Sequence, residues 1–426
     1  MNKFVGYRCS LCGEEYSPVD VTYTCPKDGG NLDVVLDYDA IKNKYQPEDL
    51  LSRTDSSLWR FLPLLPVTEL EDSGALTPLH VAGGTPVFKL TSLAEKHGLK
   101  NLWLKDESRN PTASFKDRAS AIVVARAREI GADVVVTAST GNAGAALAGM
   151  AAAVGQKAVI FAPKTAPQAK VAQLLIFGAK VILIDGTYDE AFDLAVKAAN
   201  EFGWYCRNTG YNPFTAEGKK TAAFEIWEWW ENTHRLWHDE FGADVDHAPL
   251  TIFVSVGDGN IISGIHKGFK ELFQLGWIAR IPRIIGVQAT GSAAVANAFH
   301  GNTETIKRVS SKTIADSISV DLPRDGVRAV RAAKETDGTY VNVSDDEILR
   351  AIAELGTVGV FAEPAGAAAY AGLVKGTGSG VVGSEDPILV LNTGSGLKDI
   401  QTAMSAASRG AAPIIEPTLD AVKKIL

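Results

Sequence analysis

Residues 133–163 read DVVVTASTGNAGAALAGMAAAVGQKAVIFAP. Two short runs rich in β-branched residues, 133–137 and 158–161, flank an Ala-rich stretch at 143–154. Runs of that length suit strands and the stretch between them suits a helix, so the unit reads strand–helix–strand. The pattern continues outward. A helix is expected at 115–130, then after the opening unit a helix at 168–177, a strand at 180–184, a helix at 189–202 and a short strand at 204–207. A second alternation follows, with strands at 251–256, 283–287 and 387–391 and helices at 261–275, 293–299 and 345–355. A helix at 93–97 and the strand NLWLKDE precede both blocks. Alternating strands and amphipathic helices predict an α/β fold of two doubly wound parallel-sheet domains, with ligands at the strand C-terminal ends.

Four loops at such junctions carry chemistry. In the first, Ser114-Phe115-Lys116-Asp117, after Arg109-Asn110-Pro111-Thr112, places a lysine in the first turn of a helix. The positive end of the helix dipole disfavours a second positive charge there, which suits an amine that must react unprotonated. The plainer reading is an exposed lysine paired with Asp117. In the second, Ser139-Thr140-Gly141-Asn142-Ala143-Gly144 opens the next helix, and its N–H groups and hydroxyls form a cradle for an anion such as a carboxylate. In the third, Val256-Gly257-Asp258-Gly259-Asn260-Ile261 can wrap a phosphate, with the Asp258 side chain expected to turn away. It is not G-x-G-x-x-G and no acidic residue ends a following strand, which disfavours a dinucleotide. In the fourth, Asn392-Thr393-Gly394-Ser395-Gly396 puts a neutral hydroxyl, Thr393, after the last strand.

The remaining features bound the function. The 426-residue chain has a net charge of -8, which gives it no electrostatic reason to coat nucleic acid or anionic membrane. The longest small-apolar stretch, 143–155, is too short to cross a bilayer. No apolar leader opens the sequence, and only four cysteines are present, so a cytoplasmic protein is expected. Three of those cysteines lie in the first 25 residues. Cys9 and Cys12 form a C-x-x-C knuckle, while Cys25 begins a second knuckle whose partner position is Asp28. A ribbon-like β module without metal is the preferred reading, over zinc held by Cys9, Cys12 and Cys25 with a carboxylate. Trp227, Trp229, Trp230 and Trp237, in a helix that runs into a polar tail at 238–247, read as packing or a subunit contact.

Taken together and in this order, the four loops resemble the fold-type II pyridoxal-phosphate enzymes, the group of threonine synthase and serine/threonine dehydratase. The resemblance spans about residues 80–400. It implies that Lys116 forms the covalent link to pyridoxal 5′-phosphate and that Phe115 flanks its ring. It also implies that Asn142 contacts the 3′-oxygen and Thr393 the ring nitrogen. Gly257, Asp258, Gly259, Asn260 and Ile261 would hold the cofactor phosphate, and Ser139, Thr140, Gly141 and Asn142 the substrate carboxylate. It further implies a large domain of 80–117 with 209–410, a small mobile domain of 118–208, an N-terminal module of 1–50, a C-terminal arm of 411–426, and a homodimer.

Within the group, TGSGLKD at 393–399 is similar to the synthase TGHGLKD, and Gln288-Ala289 with Gly291-Ser292 to its Q-A-x-G-S. Val360-Phe361-Ala362-Glu363-Pro364-Ala365-Gly366 matches a run shared with the dehydratases. The segment 212–221, NPFTAEGKKT, is similar to N-P-[FY]-R-x-x-G-Q-K-T. Thr215 stands where that pattern has an arginine for the substrate phosphate, and Lys219, Lys220 and Lys164 are the cations that could replace it. Ser395 replaces a histidine, and the glycine loop has the dehydratase length. The implied activity is a lyase converting O-phospho-L-homoserine and water to L-threonine and phosphate. The alternatives are threonine/serine ammonia-lyase chemistry, β-replacement on an O-phospho amino acid, or a non-catalytic binder.

Overall fold

The β-branched runs become strands and the Ala-rich stretches become the helices that cover them. The computed structural model describes residues 3–51, 54–68, 76–241, 249–407 and 412–425. In chain order, strands β1 (Phe4–Cys9), β2 (Glu15–Tyr16) and β3 (Leu32–Leu36) make a small antiparallel sheet. Then come β4 (Val87–Lys89), β5 (Asn101–Asp106), β6 (Val134–Ala138), β7 (Lys157–Pro163), β8 (Lys180–Ile184) and β9 (Tyr205–Cys206). The last four are β10 (Thr251–Ser255), β11 (Arg283–Ala289), β12 (Thr339–Val343) and β13 (Pro387–Asn392).

Two larger sheets result. One has the order β12-β11-β10-β13-β5-β4 and the other β8-β7-β6-β9. Every pair in them is parallel except β4–β5, so a short antiparallel strand closes one edge of the first sheet. The last strand, β13, inserts between β10 and β5. That crossover gathers loops distant in sequence at one end of the sheet. The helix Phe214–Phe241 crosses closely over the helix Lys116–Glu129, and a Cβ on Gly218 would sit 2.1 Å from the Arg118 carbonyl oxygen.

The tryptophans pack within the chain. Trp227 stacks on Trp277 at 5.9 Å, and Trp229 and Trp230 meet Trp103 edge-on at 5.3 and 6.1 Å. The Trp237 side chain and residues 242–247 of the expected polar tail lie outside the described residues. At the far end, residues 412–418 are exposed and form neither helix nor strand, and a short helix spans Leu419–Lys423.

Behind the Lys116 helix lies a buried ion network. Arg118 donates to Glu107 (2.7 Å) and to Glu225 (2.6 Å), and Lys105 donates to Glu225 (2.8 Å). All four are fully or almost fully buried. Removing one partner strands the others without water, so Glu225→Ala should lower the unfolding free energy by about 3–5 kcal/mol, read as an earlier urea midpoint. His266 supplies a pH dependence. Burial first, then Lys270, holds its ring down at about 4 against an ordinary 6.5. The native ring stays neutral, so its contribution is full above pH 6.5 and is lost as pH falls toward 4. The urea midpoint should drop across that window, and His266→Gln should flatten part of the drop.

Candidate active site

The four loops of the sequence reading converge on one cavity of about 650 Å³, at the C-terminal ends of β6, β9, β10 and β13. Lys116, Ser139, Thr140, Gly141, Asn142 and Thr393 line it, as does the whole run from Gly257 to Ile261. Phe115 does not. Its ring is fully buried in the main core, 5.8 Å from the Arg118 guanidinium. A second cavity of about 370 Å³ adjoins the first and shares Thr140, Gly141 and Asn142 with it.

Lys116 is held by clips between two loops. Phe115 N–H donates to the Thr393 carbonyl oxygen (2.9 Å), and Ser395 N–H to that of Ala113 (3.1 Å). Ser114 bridges to Gly394, and Asn392 Nδ2 donates to Asp106 Oδ1 (2.8 Å). Ala113, with φ of 62°, accepts a conformation that only glycine adopts freely, a local strain held by these contacts. Burial holds the Lys116 amine below the usual lysine range. Glu363 opposes that shift, Arg207 adds to it, and Asp258 opposes it.

Three helices open on the site without a side-chain cap, at Phe115, Gly141 and Gly259. Their first N–H groups are therefore left for other acceptors. Gly259 has φ of 91°, and a Cβ there would sit 2.6 Å from the Asp325 carbonyl oxygen, so the loop needs glycine on both counts. Asp258 Oδ1 accepts from Arg324 N–H at 3.3 Å, and burial raises its pKa. Asn142 Nδ2 donates to both Glu363 oxygens, at 2.8 and 2.9 Å. Burial also raises the pKa of Glu363, against the Asn142 hydrogen bonds and Lys116.

The alternative phosphate-binding lysines separate cleanly. Lys164 is exposed and pairs with Asp185 at 2.6 Å. Lys220 is fully buried between Glu217 and Glu271. Only Lys219 lines the cavity, where its amine donates to Asn260 Oδ1 at 2.5 Å. Thr215 Oγ1 reaches the same oxygen at 3.1 Å but does not line the cavity. Burial holds the Lys219 pKa well below the ordinary lysine value, with Lys116 and Arg207 adding to the effect.

Sequence reasoning missed Arg207 and gave Glu363 no role. Arg207 follows β9 directly, is fully buried and lines the cavity. Its Nη1 donates to Thr209 Oγ1 (2.6 Å), while its Nη2 has no partner among the described residues. The available signal was a charge closing an otherwise apolar strand, Trp204-Tyr205-Cys206. Glu363 arrives from the start of the helix Pro364–Gly378, where no local pattern links it to Asn142.

A phosphate-bearing aldehyde cofactor fits these residues. A desolvated amine, a glycine loop that no side chain could enter and the unpartnered Ser255 Oγ and Arg207 Nη2 face one space. The model of the family "Pyridoxal-phosphate dependent enzyme" matches residues 79–394. The chain belongs to this family. It is 37% identical over 423 residues to a threonine synthase of Methanocaldococcus jannaschii and 36% identical to one of Methanosarcina acetivorans, each match covering 98% of both chains. Among solved structures it is similar to processed threonine deaminase isoform 2 from Solanum lycopersicum (TM-score 0.63, 24% identity), over 78% of this chain and 90% of that one. It is also similar to diaminopropionate ammonia lyase from Escherichia coli (TM-score 0.63, 20% identity), over 84% and 93%. These structural likenesses establish the fold. They agree with the fold-type II architecture expected from the sequence, and the family match bears out the pyridoxal-phosphate cofactor.

Lys116→Ala should abolish the visible absorbance of lysine-bound cofactor while leaving the far-ultraviolet circular dichroism unchanged. Persistence of that absorbance would assign the link to another amine.

Proposed function

We propose that the protein converts O-phospho-L-homoserine and water to L-threonine and phosphate. One observation carries the reading at the site. The cavity that holds Lys116 also buries two basic side chains, Lys219 and Arg207, and among the described residues neither is bonded to a carboxylate. Burial without a counter-ion disfavours their charged forms, and an anion that arrives with a ligand would restore the charge, so these groups suit anionic ligands. The end-to-end match to threonine synthases supports the same reading.

Each residue then has a task. The Gly257–Ile261 backbone, at the start of a helix, holds the cofactor phosphate, while Thr393 offers the ring nitrogen a neutral hydroxyl. The Ser139–Asn142 turn takes the substrate carboxylate. Bound pyridoxal phosphate supplies a sink for the electrons left when a Cα–H bond breaks. Lys116, whose amine burial shifts toward the neutral form, takes the Cα proton. Arg207, Thr209 and Lys219 hold the substrate phosphate. A proton is next lost from Cβ, and its electron pair forms the Cβ–Cγ double bond as phosphate leaves from Cγ. Protons then return to Cγ and Cα, and water adds its hydroxyl at Cβ and gives its proton to the released phosphate. Glu363, bonded to Asn142 and close enough to influence Lys116, fixes the amide. The domain division expected from the sequence belongs to this reading, with the unit of 118–208 closing over the cavity to exclude bulk water. So do a homodimer and a cytoplasmic location. Among the described residues no helix is long and apolar enough to cross a membrane.

The test is inorganic phosphate release from O-phospho-L-homoserine by cofactor-loaded protein, with threonine identified as co-product. Protein that shows the lysine-bound cofactor absorbance but releases no phosphate would overturn the assignment in favour of β-elimination. If release is seen, Lys219→Gln should raise KM for the phosphorylated substrate about tenfold to a hundredfold, the value of one charged hydrogen bond of about 1.5–3 kcal/mol.

A further inference from the structure

The N-terminal sheet carries two turns with the same construction. In the first, Cys9-Ser10-Leu11-Cys12-Gly13, Gly13 N–H donates to the Cys9 carbonyl oxygen (3.1 Å) and Cys9 N–H to that of Glu14 (2.8 Å). In the second, Cys25-Pro26-Lys27-Asp28-Gly29, Gly29 N–H donates to the Cys25 carbonyl oxygen (2.8 Å) and Cys25 N–H to that of Gly30 (2.9 Å). Gly13 and Gly29 have φ of 77° and 73°, a conformation that closes each turn and suits glycine. The N–H groups of Leu11 and Cys12 point at Cys9 Sγ, and those of Lys27 and Asp28 at Cys25 Sγ. The two turns are thus equivalent residue for residue, and Asp28 occupies the place that Cys12 holds in the first.

Their four donor atoms all lie within 4.8 Å of one another. Zinc–sulfur bonds of about 2.3 Å give a tetrahedral S···S edge of about 3.8 Å, and a zinc–oxygen bond of about 2.1 Å gives an S···O edge of about 3.6 Å. Cys12 Sγ and Cys25 Sγ are 3.8 Å apart, and Cys9 Sγ lies 3.3 and 3.6 Å from the two Asp28 oxygens. Cys9 and Cys25 are buried while Cys12 and Asp28 are exposed, which leaves a path for an ion from outside. No Lys, Arg or His among the described residues pairs with Asp28, so the carboxylate beside three thiols has no cation of the protein's own. Gly30 N–H donates to Asp28 Oδ1 (2.8 Å) and Tyr16 OH lies 3.1 Å from Cys25 Sγ, so two of the donors are oriented by neighbours.

The geometry points to a structural site for one thiophilic divalent cation, zinc by coordination preference, ligated by Cys9, Cys12, Cys25 and Asp28. Binding forms three metal–thiolate bonds and one metal–carboxylate bond and releases the three thiol protons to solvent, with no change of oxidation state. With four protein ligands the site is closed, as structural zinc sites are. The ribbon it would hold is fastened to the wall of the catalytic cavity. Asn31 Nδ2 donates to the carbonyl oxygens of Gly210 and Arg324, and Tyr23 stacks on Tyr211 at 4.5 Å and accepts from Cys206 N–H at 2.9 Å. Those contacts flank Arg207 and the Arg324 N–H that binds Asp258. The ion therefore stiffens that wall without touching the reaction.

The experiment is metal analysis of the full chain, purified without chelator or histidine tag. One zinc ion per chain is expected, and cobalt added to demetallated protein should produce thiolate-to-cobalt charge-transfer and tetrahedral d–d absorbance. Cys9→Ser and Cys25→Ser should lose the ion, and Asp28→Cys should retain it. Asp28→Ala should weaken it by at least about tenfold, the least expected when a ligand goes rather than a group behind it. Because these variants could fail to fold, the wild-type metal content and cobalt spectrum stand as a separate test. Folded wild-type protein that carries no stoichiometric metal and takes up neither zinc nor cobalt overturns the proposal. So does an ion that survives both cysteine substitutions.

Discussion

A lysine amine has to stand in a cavity, short of water and in reach of ligands, and much of this structure is arranged around that requirement. A loop alone would let the side chain swing out to solvent. Here β13 is inserted between β10 and β5, which brings the Thr393 loop beside the loop that carries Lys116. The backbone contacts of Phe115, Ser114 and Ala113 with residues 393–395 then lock the two loops together. The strained φ of Ala113 is the local cost of aiming the helix start inward. Two residues after the lysine, Arg118 anchors the helix to Glu107 and Glu225 from below. The amine is thus fixed from both sides by parts of the chain almost 300 residues apart.

The same site concentrates charge that the protein alone does not neutralise. Burial depresses the affinity of Lys116, Lys219 and Arg207 for protons; Arg207 adds to the effect at both lysines, and Lys116 adds to it at Lys219. Asp258 and Glu363 are displaced in the opposite sense, toward the neutral acid. In the core network the pattern is reversed, since each of Arg118, Glu107 and Glu225 has a partner of opposite sign. Both are buried clusters of ionisable groups, yet one is paired internally, while the other, on the proposed reading, receives anions with its ligands. That difference separates a structural cluster from a binding one on physical grounds.

How much of this could be read beforehand follows from locality. The strand Lys180–Ile184 was placed to the residue, because KVILI is a β-branched run between Gly-containing turns. The helices Gly326–Lys334 and Pro364–Gly378 were not foreseen. The second is buried on nearly every side, so its Ala- and Gly-rich sequence shows no amphipathic stripe. The strand β12, TYVNV, is short and half polar, and β4 is a three-residue antiparallel edge. The four site loops were legible because each is contiguous and sits at a strand–helix junction. Arg207 and Glu363 were not, because their importance comes from what the fold sets opposite them. The N-terminal quartet lies between these cases. Its spacing was plain, but the equivalence of the Asp28 turn to the Cys12 turn rests on backbone hydrogen bonds and paired left-handed glycines.

The exchange at positions 215 and 219 shows how a departure from a family pattern can be absorbed. The pattern that the segment resembles has an arginine at the position of Thr215 and a glutamine at that of Lys219. Residues four apart on a helix share a face, so the two side chains project one above the other. Here both reach the same atom, Asn260 Oδ1. Moving the positive charge from the first position to the second shifts it by one turn and keeps it on the face that meets the glycine loop. The cation also changes character, from a planar fork that grips two oxygens to a point charge on a flexible stem. A fork fixes the orientation of a phosphate, whereas an ammonium fixes only its position. On the proposed reading, orientation then falls to neighbours with directional donors, and Arg207, which lines the cavity with one guanidinium nitrogen unpartnered among the described residues, would supply it.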